Sequence, residues 1–258
     1  MTVKTSPDQL LTVALVIPAR NEAPRLPHVL DIVTSDPLSI FDDIIVVDDG
    51  STDSTAAVAH GFAEVHVVSI GDGRPGKGKA LKAGWCRTLA DIIVTCDADL
   101  GALRHSQLGG LVQELTRYDH RHLAKAAYAN APDNGGRVTE LVAKPLLDLF
   151  FPTCADLRSP LSGEMAFYRE DIVSLDLPND YGVDIAILLS LTHRYGRHAI
   201  AEVPFGIKEH PHQPLSSLSN QARQVIRAML ERKDSPYPDG DGLSALSLPS
   251  ELAPIQLP

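Results

Sequence analysis

Four short apolar runs rich in β-branched residues, each separated from the next by a helix-like segment, constrain this chain more than any other feature. They are Leu11 to Pro18 (LTVALVIP), Asp43 to Asp48 (DIIVVD), Val65 to Ile70 and Asp91 to Cys96 (DIIVTC). Pro24 to Ser35, Asp53 to Ala63 and Lys79 to Ala90 carry the intervening helical patterns. Near-continuous apolar runs imply strands covered on both faces, hence a mostly parallel sheet between two helical layers, an α/β sandwich of αβα type. Such sheets bind ligands beyond the carboxyl ends of their strands. Polar clusters stand at those ends: Ala19-Arg20-Asn21-Glu22, Asp48-Asp49-Gly50-Ser51 and Asp97-Ala98-Asp99.

Further along, Gly136 to Phe150 predicts a helix kinked at Pro145, because proline lacks the N–H that a helix interior needs. Glu164 to Tyr168 and Ala199 to Gly206 read as strands, Val183 to Tyr195 and Ser219 to Lys233 as helices. At 258 residues one sizeable core is expected. A single domain is therefore assigned to 1–233. The Pro-, Gly- and Ser-bearing stretch 234–258 is expected to be a loosely ordered tail. The formal net charge of −10 argues against a nucleic-acid partner. It also means that anionic substrates would need positive charge gathered locally. No apolar run reaches the length of a membrane span, and Met1 to Leu10 lack a signal-peptide layout, so a cytoplasmic protein is expected. Cys86, Cys96 and Cys154 form no CxxC pair and read as plain thiols.

Asp97 and Asp99 follow a buried strand two residues apart, a spacing at which two carboxylates can reach one cation. Mg²⁺ or Mn²⁺ takes oxygen ligands and neutralises a nucleoside diphosphate. Turn-forming aspartates at a solvated strand end are the plain alternative. In the second cluster Asp48 could accept the imide N–H of uracil, while Ser51 or Asp53 caps the next helix. The segment Gly71 to Lys79 is glycine-rich and precedes a helix, an arrangement that brings backbone N–H groups to phosphate. It fits neither the GxxxxGK[ST] phosphate loop nor a dinucleotide fingerprint. Gly135-Gly136-Arg137-Val138-Thr139 opens a helix, so its amides and the Arg137 fork suit a second anion. Asp184 interrupts the apolar helix VDIAILLSL, and a buried carboxylate is costly unless it is paired or functional. His210, in Lys208-Glu209-His210-Pro211-His212, could be a metal ligand or a solvated loop residue.

Taken together, IPARNE, VVDDGSTD, GKGKAL and CDADL, in this order over Ile17 to Leu100, resemble the GT-A glycosyltransferases. GGRVTEL, Ser162-Gly163-Glu164, Tyr181-Gly182-Val183-Asp184-Ile185 and Glu209-His210 narrow the resemblance to glucosyl-3-phosphoglycerate synthases. It implies a Rossmann-like GT-A fold, a nucleotide-sugar donor, a small phosphorylated acceptor, Mg²⁺ or Mn²⁺, and a homodimer as a candidate assembly. Pro18, Ala19, Glu22, Asp48 and Lys77 would surround the uridine, with Arg20 and Ala98 in the same donor set. Asp99 and His210 would bind the metal, and Asp97 would lie beside the ribose or sugar. Gly135 to Thr139 would hold the acceptor phosphate, with His212 nearby, and Tyr181 and Asp184 would line the sugar and acceptor pocket. Lys77, Asp97 and Asp184 carry the catalytic assignment.

Two departures stand out: Lys208 replaces an expected arginine fork by a point charge, and His212 stands where an amide is expected. The implied reaction is a retaining transfer of glucose from UDP-glucose to 3-phosphoglycerate. The alternatives are the same fold with another donor or acceptor, such as GDP-mannose in a mannosyl-3-phosphoglycerate synthase-like reaction or a lipid phosphate, and an inactive nucleotide-binding regulator.

Overall fold

The computed structural model describes residues 11–35, 40–71, 73–129, 136–207 and 215–233. In chain order the elements are β1 (Val13–Ala19), α1 (Leu26–Thr34), β2 (Asp43–Asp48), α2 (Thr55–His60), β3 (Val65–Ser69), α3 (Lys77–Trp85) and β4 (Ile92–Thr95). They continue with α4 (His105–Thr116), β5 (Leu123–Ala129), a π-helical turn (Thr139–Ala143) running into α5 (Lys144–Phe150), β6 (Met165–Tyr168) and α6 (Arg169–Ile172). The last are α7 (Val183–Tyr195), β7 (Ile200–Ile207) and α8 (Leu215–Lys233).

One seven-stranded sheet has the order β3-β2-β1-β4-β6-β5-β7. Only β6 runs antiparallel to its neighbours β4 and β5; the other pairings are parallel. Along β1, Ala14 and Val16 join the apolar layer containing Trp85, Phe167 and α7, whereas Val13, Leu15 and Ile17 join the layer containing α1 and α4. Burial on both faces is what the unbroken apolar runs require. Register brings Ala19 beside Asp48 and Asp48 beside Ser69, so the first three strands end at one level.

Three elements, α4, β5 and the four-residue α6, carry no signal in the sequence reading. Gly109 and Gly110 sit inside α4, where glycine opposes helix by about 1 kcal/mol each, and β5 (LAKAAYA) lacks β-branched residues. Packing supplies what propensity lacks: a Cβ on Gly110 would lie 3.4 Å from the Val203 side chain of β7. The break at Pro145 takes the form of the π-helical turn, in which the Lys144 N–H bonds to the Thr139 carbonyl. Proline cannot donate to the residue four before it and its ring crowds that carbonyl, so the turn just ahead widens. The predicted tail 234–258 lies outside the described residues.

Candidate functional site

A cavity of about 930 Å³ opens beyond the carboxyl ends of β1 and β4, between the π-helical turn, the start of α7 and one face of α8. Its floor is an ion triad. Lys77, the first residue of α3, places Nζ 2.7 Å from Asp97 Oδ1 and 2.8 Å from Asp184 Oδ2. Burial works against the Lys77 charge, but Asp184 and Asp97 outweigh it and hold the ammonium well above the ordinary lysine range. Burial also pushes the Asp184 carboxyl up, against the pull of Lys77. The short contact to a retained cation makes Asp184 the ionised partner at neutral pH. Its place in the first turn of α7, where helix N-termini favour negative charge, acts in the same sense. Asp184 Oδ1 is buried with no hydrogen-bond partner among the described residues. Such an oxygen at a cavity wall is suited to accept a ligand hydroxyl.

The loop after β1 is stitched to the loop after β2. The Asn21 N–H donates to Ser51 Oγ at 3.0 Å, and Asn21 Oδ1 accepts from the Thr52 N–H at 2.8 Å. Asn21 holds φ at +56°, a conformation asparagine tolerates better than most residues, and so sets Arg20 and Glu22 at the cavity edge. Glu22 pairs with Arg25 at 2.5 Å, while burial pushes its carboxyl up.

Pro18, Ala19, Arg20, Glu22, Lys77, Asp97, Ala98, Asp99, Gly136, Arg137, Val138, Thr139, Tyr181 and Asp184 all line this one cavity. Asp48 does not. Its Oδ1 accepts the Ser51 N–H at 3.2 Å, closing the turn, and Asp49 faces the cavity instead. Successive side chains at a strand end point to opposite sides, so a one-residue offset exchanges the two roles. Burial raises the Asp49 carboxyl, while the Gly76 N–H donating at 2.6 Å opposes that.

The glycine-rich segment also differs from expectation. The Gly78 and Lys79 N–H groups donate to the carbonyls of Asp180 and Asn179 at 3.3 and 2.9 Å. Any side chain on Gly76 or Gly78 would collide with that 178–180 backbone. Gly76 and Gly78 therefore let two backbones approach and do not cradle a phosphate; the charged groups the segment contributes to the cavity are Arg74 and Lys77. Gly136 sits at φ +73°, where glycine is favoured, and starts the helical stretch that presents Arg137, Val138 and Thr139. Gly135, His210 and His212 lie outside the described residues.

Among the described residues no group of three or more His, Cys, Asp or Glu forms a metal cluster. Asp97 and Asp99 nevertheless offer hard carboxylate oxygens on one cavity wall, the donor type that Mg²⁺ and Mn²⁺ take, with room beside them for diphosphate oxygens. Asp49, Arg74, Tyr128, Arg158, Gln221 and Gln224 also reach the cavity without having been anticipated. No local motif marks them; Gln221 and Gln224 are legible only as one i, i+3 polar edge of α8. Arg20, Arg74, Lys77, Arg137 and Arg158 bring positive charge to the cavity, beside the carboxylates of Glu22, Asp49, Asp97, Asp99, Glu140, Asp180 and Asp184. No helix among the described residues is long and apolar enough to cross a membrane.

Comparison with known proteins adds to this geometry. The family described as Glycosyl transferase family 2 matches residues 14–174. A glucosyl-3-phosphoglycerate synthase of Mycolicibacterium paratuberculosis is 38% identical over 240 residues, covering 86% of this chain and 72% of that protein. The synthase of Petrotoga mobilis is 34% identical over 247 residues, covering 89% and 76%. The Mycobacterium tuberculosis glucosyl-3-phosphoglycerate synthase, solved with Mn²⁺, UDP-glucose and phosphoglyceric acid, superposes with a TM-score of 0.81 at 37% identity, covering 92% of this chain and 84% of that one.

Proposed function

The chain belongs to glycosyl transferase family 2, and within it we propose that this enzyme moves glucose from UDP-glucose to the hydroxyl of 3-phosphoglycerate with retention of configuration. The observation that carries this reading is the meeting, in one cavity, of the Lys77–Asp97–Asp184 triad with the Gly136–Thr139 helix start. The first suits a sugar diphosphate and the second a small anion. About 11–100 serves the nucleotide and about 101–233 the acceptor.

Asp99, with His210, would hold Mg²⁺ or Mn²⁺, which when bound neutralises charge on the departing diphosphate. Lys77 adds fixed positive charge beside it, pre-organised by its two carboxylates and costing no reorganisation as charge develops. Asp184 Oδ1 accepts a sugar hydroxyl, Asp97 steadies Lys77 and the donor, and Tyr181 walls the sugar. Pro18, Ala19, Arg20, Glu22 and Ala98 frame the nucleoside, with Asp49 rather than Asp48 facing it. The Arg137 to Thr139 amides and the Arg137 guanidinium take the acceptor phosphate. A cytoplasmic homodimer is part of the same proposal.

The direct test is a matrix of donors and acceptors scored by nucleotide release. UDP-glucose with 3-phosphoglycerate and a divalent metal should turn over, whereas either substrate alone should not. Faster turnover with GDP-mannose would replace the donor, and calorimetry in Mg²⁺ should agree by giving tighter binding of UDP than of GDP.

The variant R137A separates the two halves of the site. Losing one charge-assisted contact costs on the order of 1.5–3 kcal/mol, roughly 10- to 150-fold in acceptor affinity. UDP binding should hardly change, since distant sites without shared partners act nearly independently. Equal losses for UDP and 3-phosphoglycerate in paired titrations would assign Arg137 to the donor site or to the fold. No loss in either would place the acceptor phosphate elsewhere.

A further inference from the structure

Lys125 stands near the middle of β5 with only 1% of its surface exposed. A buried ammonium is costly unless it is paired and hydrogen-bonded, so its presence inside a sheet calls for a reason. Its Nζ donates to the Ser162 carbonyl at 2.7 Å. The same strip of backbone is pinned twice more: Ser162 Oγ donates to the Ala126 carbonyl at 2.8 Å, and Thr95 Oγ1 donates to the Gly163 carbonyl at 2.6 Å. Gly163 lies directly under the triad, because a Cβ there would strike Lys77 Nζ and the Asp97 carboxylate. The charged groups facing Lys125 are Asp184 from α7, Glu164 at the entry to β6, Lys77 from α3 and Glu202 from β7. On its own strand, Tyr128 lies within the field of Glu164 and is kept neutral chiefly by burial.

We propose that Lys125 is a positioning residue for the transfer reaction. Its ammonium holds the Ser162–Glu164 strip beneath Lys77 and Asp97, and its field keeps Asp184 in the anionic, Lys77-paired arrangement that meets the sugar. This rests on the assignment of Asp184 to the donor sugar made above.

Burial pulls the Lys125 ammonium down to about 8, against the attraction of Asp184 and Glu164. Below that pH Lys125 is charged and the strip is held. Above it the proton is lost, Asp184 keeps only Lys77, and transfer weakens. Stability runs the other way. The folded value lies below the ordinary 10.5, so the unfolded chain binds more protons between about pH 8 and 10.5, and Lys125's contribution to stability rises with pH there. A merely structural lysine would move only the second quantity.

The experiment compares wild type with K125M, which keeps the length of the stem. Turnover is measured from pH 6 to 9.5, UDP affinity by calorimetry at pH 7, and unfolding free energy across the alkaline range. Wild-type kcat should fall above about pH 8. The variant should show a flat alkaline profile, at a level up to about 10²-fold lower at pH 7, the scale of a small misplacement in an active site. Its UDP affinity should stay within about twofold of wild type, which certifies the fold. A wild-type profile level to pH 9.5, an unchanged rate in the folded variant, or the same alkaline limb in both would overturn the proposal. Wild type that binds UDP yet transfers to no acceptor at any pH would instead defeat the functional reading. The positioning role would fall with it, and a gain in stability between about pH 8 and 10.5 in wild type alone would mark Lys125 as a structural lysine.

Discussion

Replacing Lys77 by methionine is expected to produce the largest loss of stability of any single change at this site. Lys77 is the shared counter-ion of Asp97 and Asp184, at 2.7 and 2.8 Å, and the Asp184 side chain is only 6% exposed. Removing one partner of a buried pair leaves an uncompensated charge, which costs roughly 3–5 kcal/mol. In a domain of this size that is a fall of about 6–20 °C in Tm. The deficit should shrink in acid. With Lys77 gone, only the more distant Lys125 opposes the burial that raises the Asp184 carboxyl, so the folded variant takes up a proton at a higher pH than the unfolded chain does. A group of that kind stabilises below its unfolded value and loses its contribution as pH rises through the folded one. Thermal melts of K77M from pH 4.5 to 8 should converge on wild type at the acid end. A uniform deficit across that range would mean that Asp184 is solvated and the triad is a surface feature.

For catalysis the largest expected effect belongs to D99A. Asp99 lies in the turn after β4, on the cavity wall, and is not one of the three groups of the Lys77 triad, so its loss should spare the fold. Removing one electrostatic stabiliser of a developing charge costs on the order of 10²–10³-fold in kcat. Losing a carboxylate ligand also weakens the cation that serves the diphosphate. The measurement is kcat as a function of Mn²⁺ concentration for both proteins, with a melt as the fold control. A low rate that excess metal only partly restores supports the assignment. Full activity in the folded variant, with divalent metal still required, would move the metal site to other residues. The K77M and D99A effects should also differ in kind, since the first destabilises the protein and the second does not.

How much of this was legible beforehand varies by residue. The strands ending at Ala19, Asp48 and Thr95 were readable because hydrophobic runs are local and the chemistry stands at their ends. Pro18, Ala19, Arg20, Glu22, Asp97, Asp99 and Arg137, each singled out by its own motif, line a single cavity. Asp184 was readable for a related reason, as a carboxylate out of place in an apolar helix. The β5 strand was not, because alanines and a central lysine carry no strand signal, and only its pairing to β6 and β7 makes it one.

What the sequence determined by itself, then, was the layered α/β architecture, the level at which the strands end, and the chemical types gathered there. Periodicity and strand-end chemistry act over a few residues, and each such stretch carries its own signal. Tertiary structure alone decided partnership. It chose Asp49 over Asp48 for the cavity, gave Lys77 a carboxylate 107 residues away, and turned Gly76 and Gly78 toward a neighbouring backbone. It also set the Lys125 ammonium beneath a site no motif connects it to. Those outcomes depend on which surfaces share a low-dielectric interior once the sheet has formed, and charge energies there are set by distance in space, which local pattern does not encode.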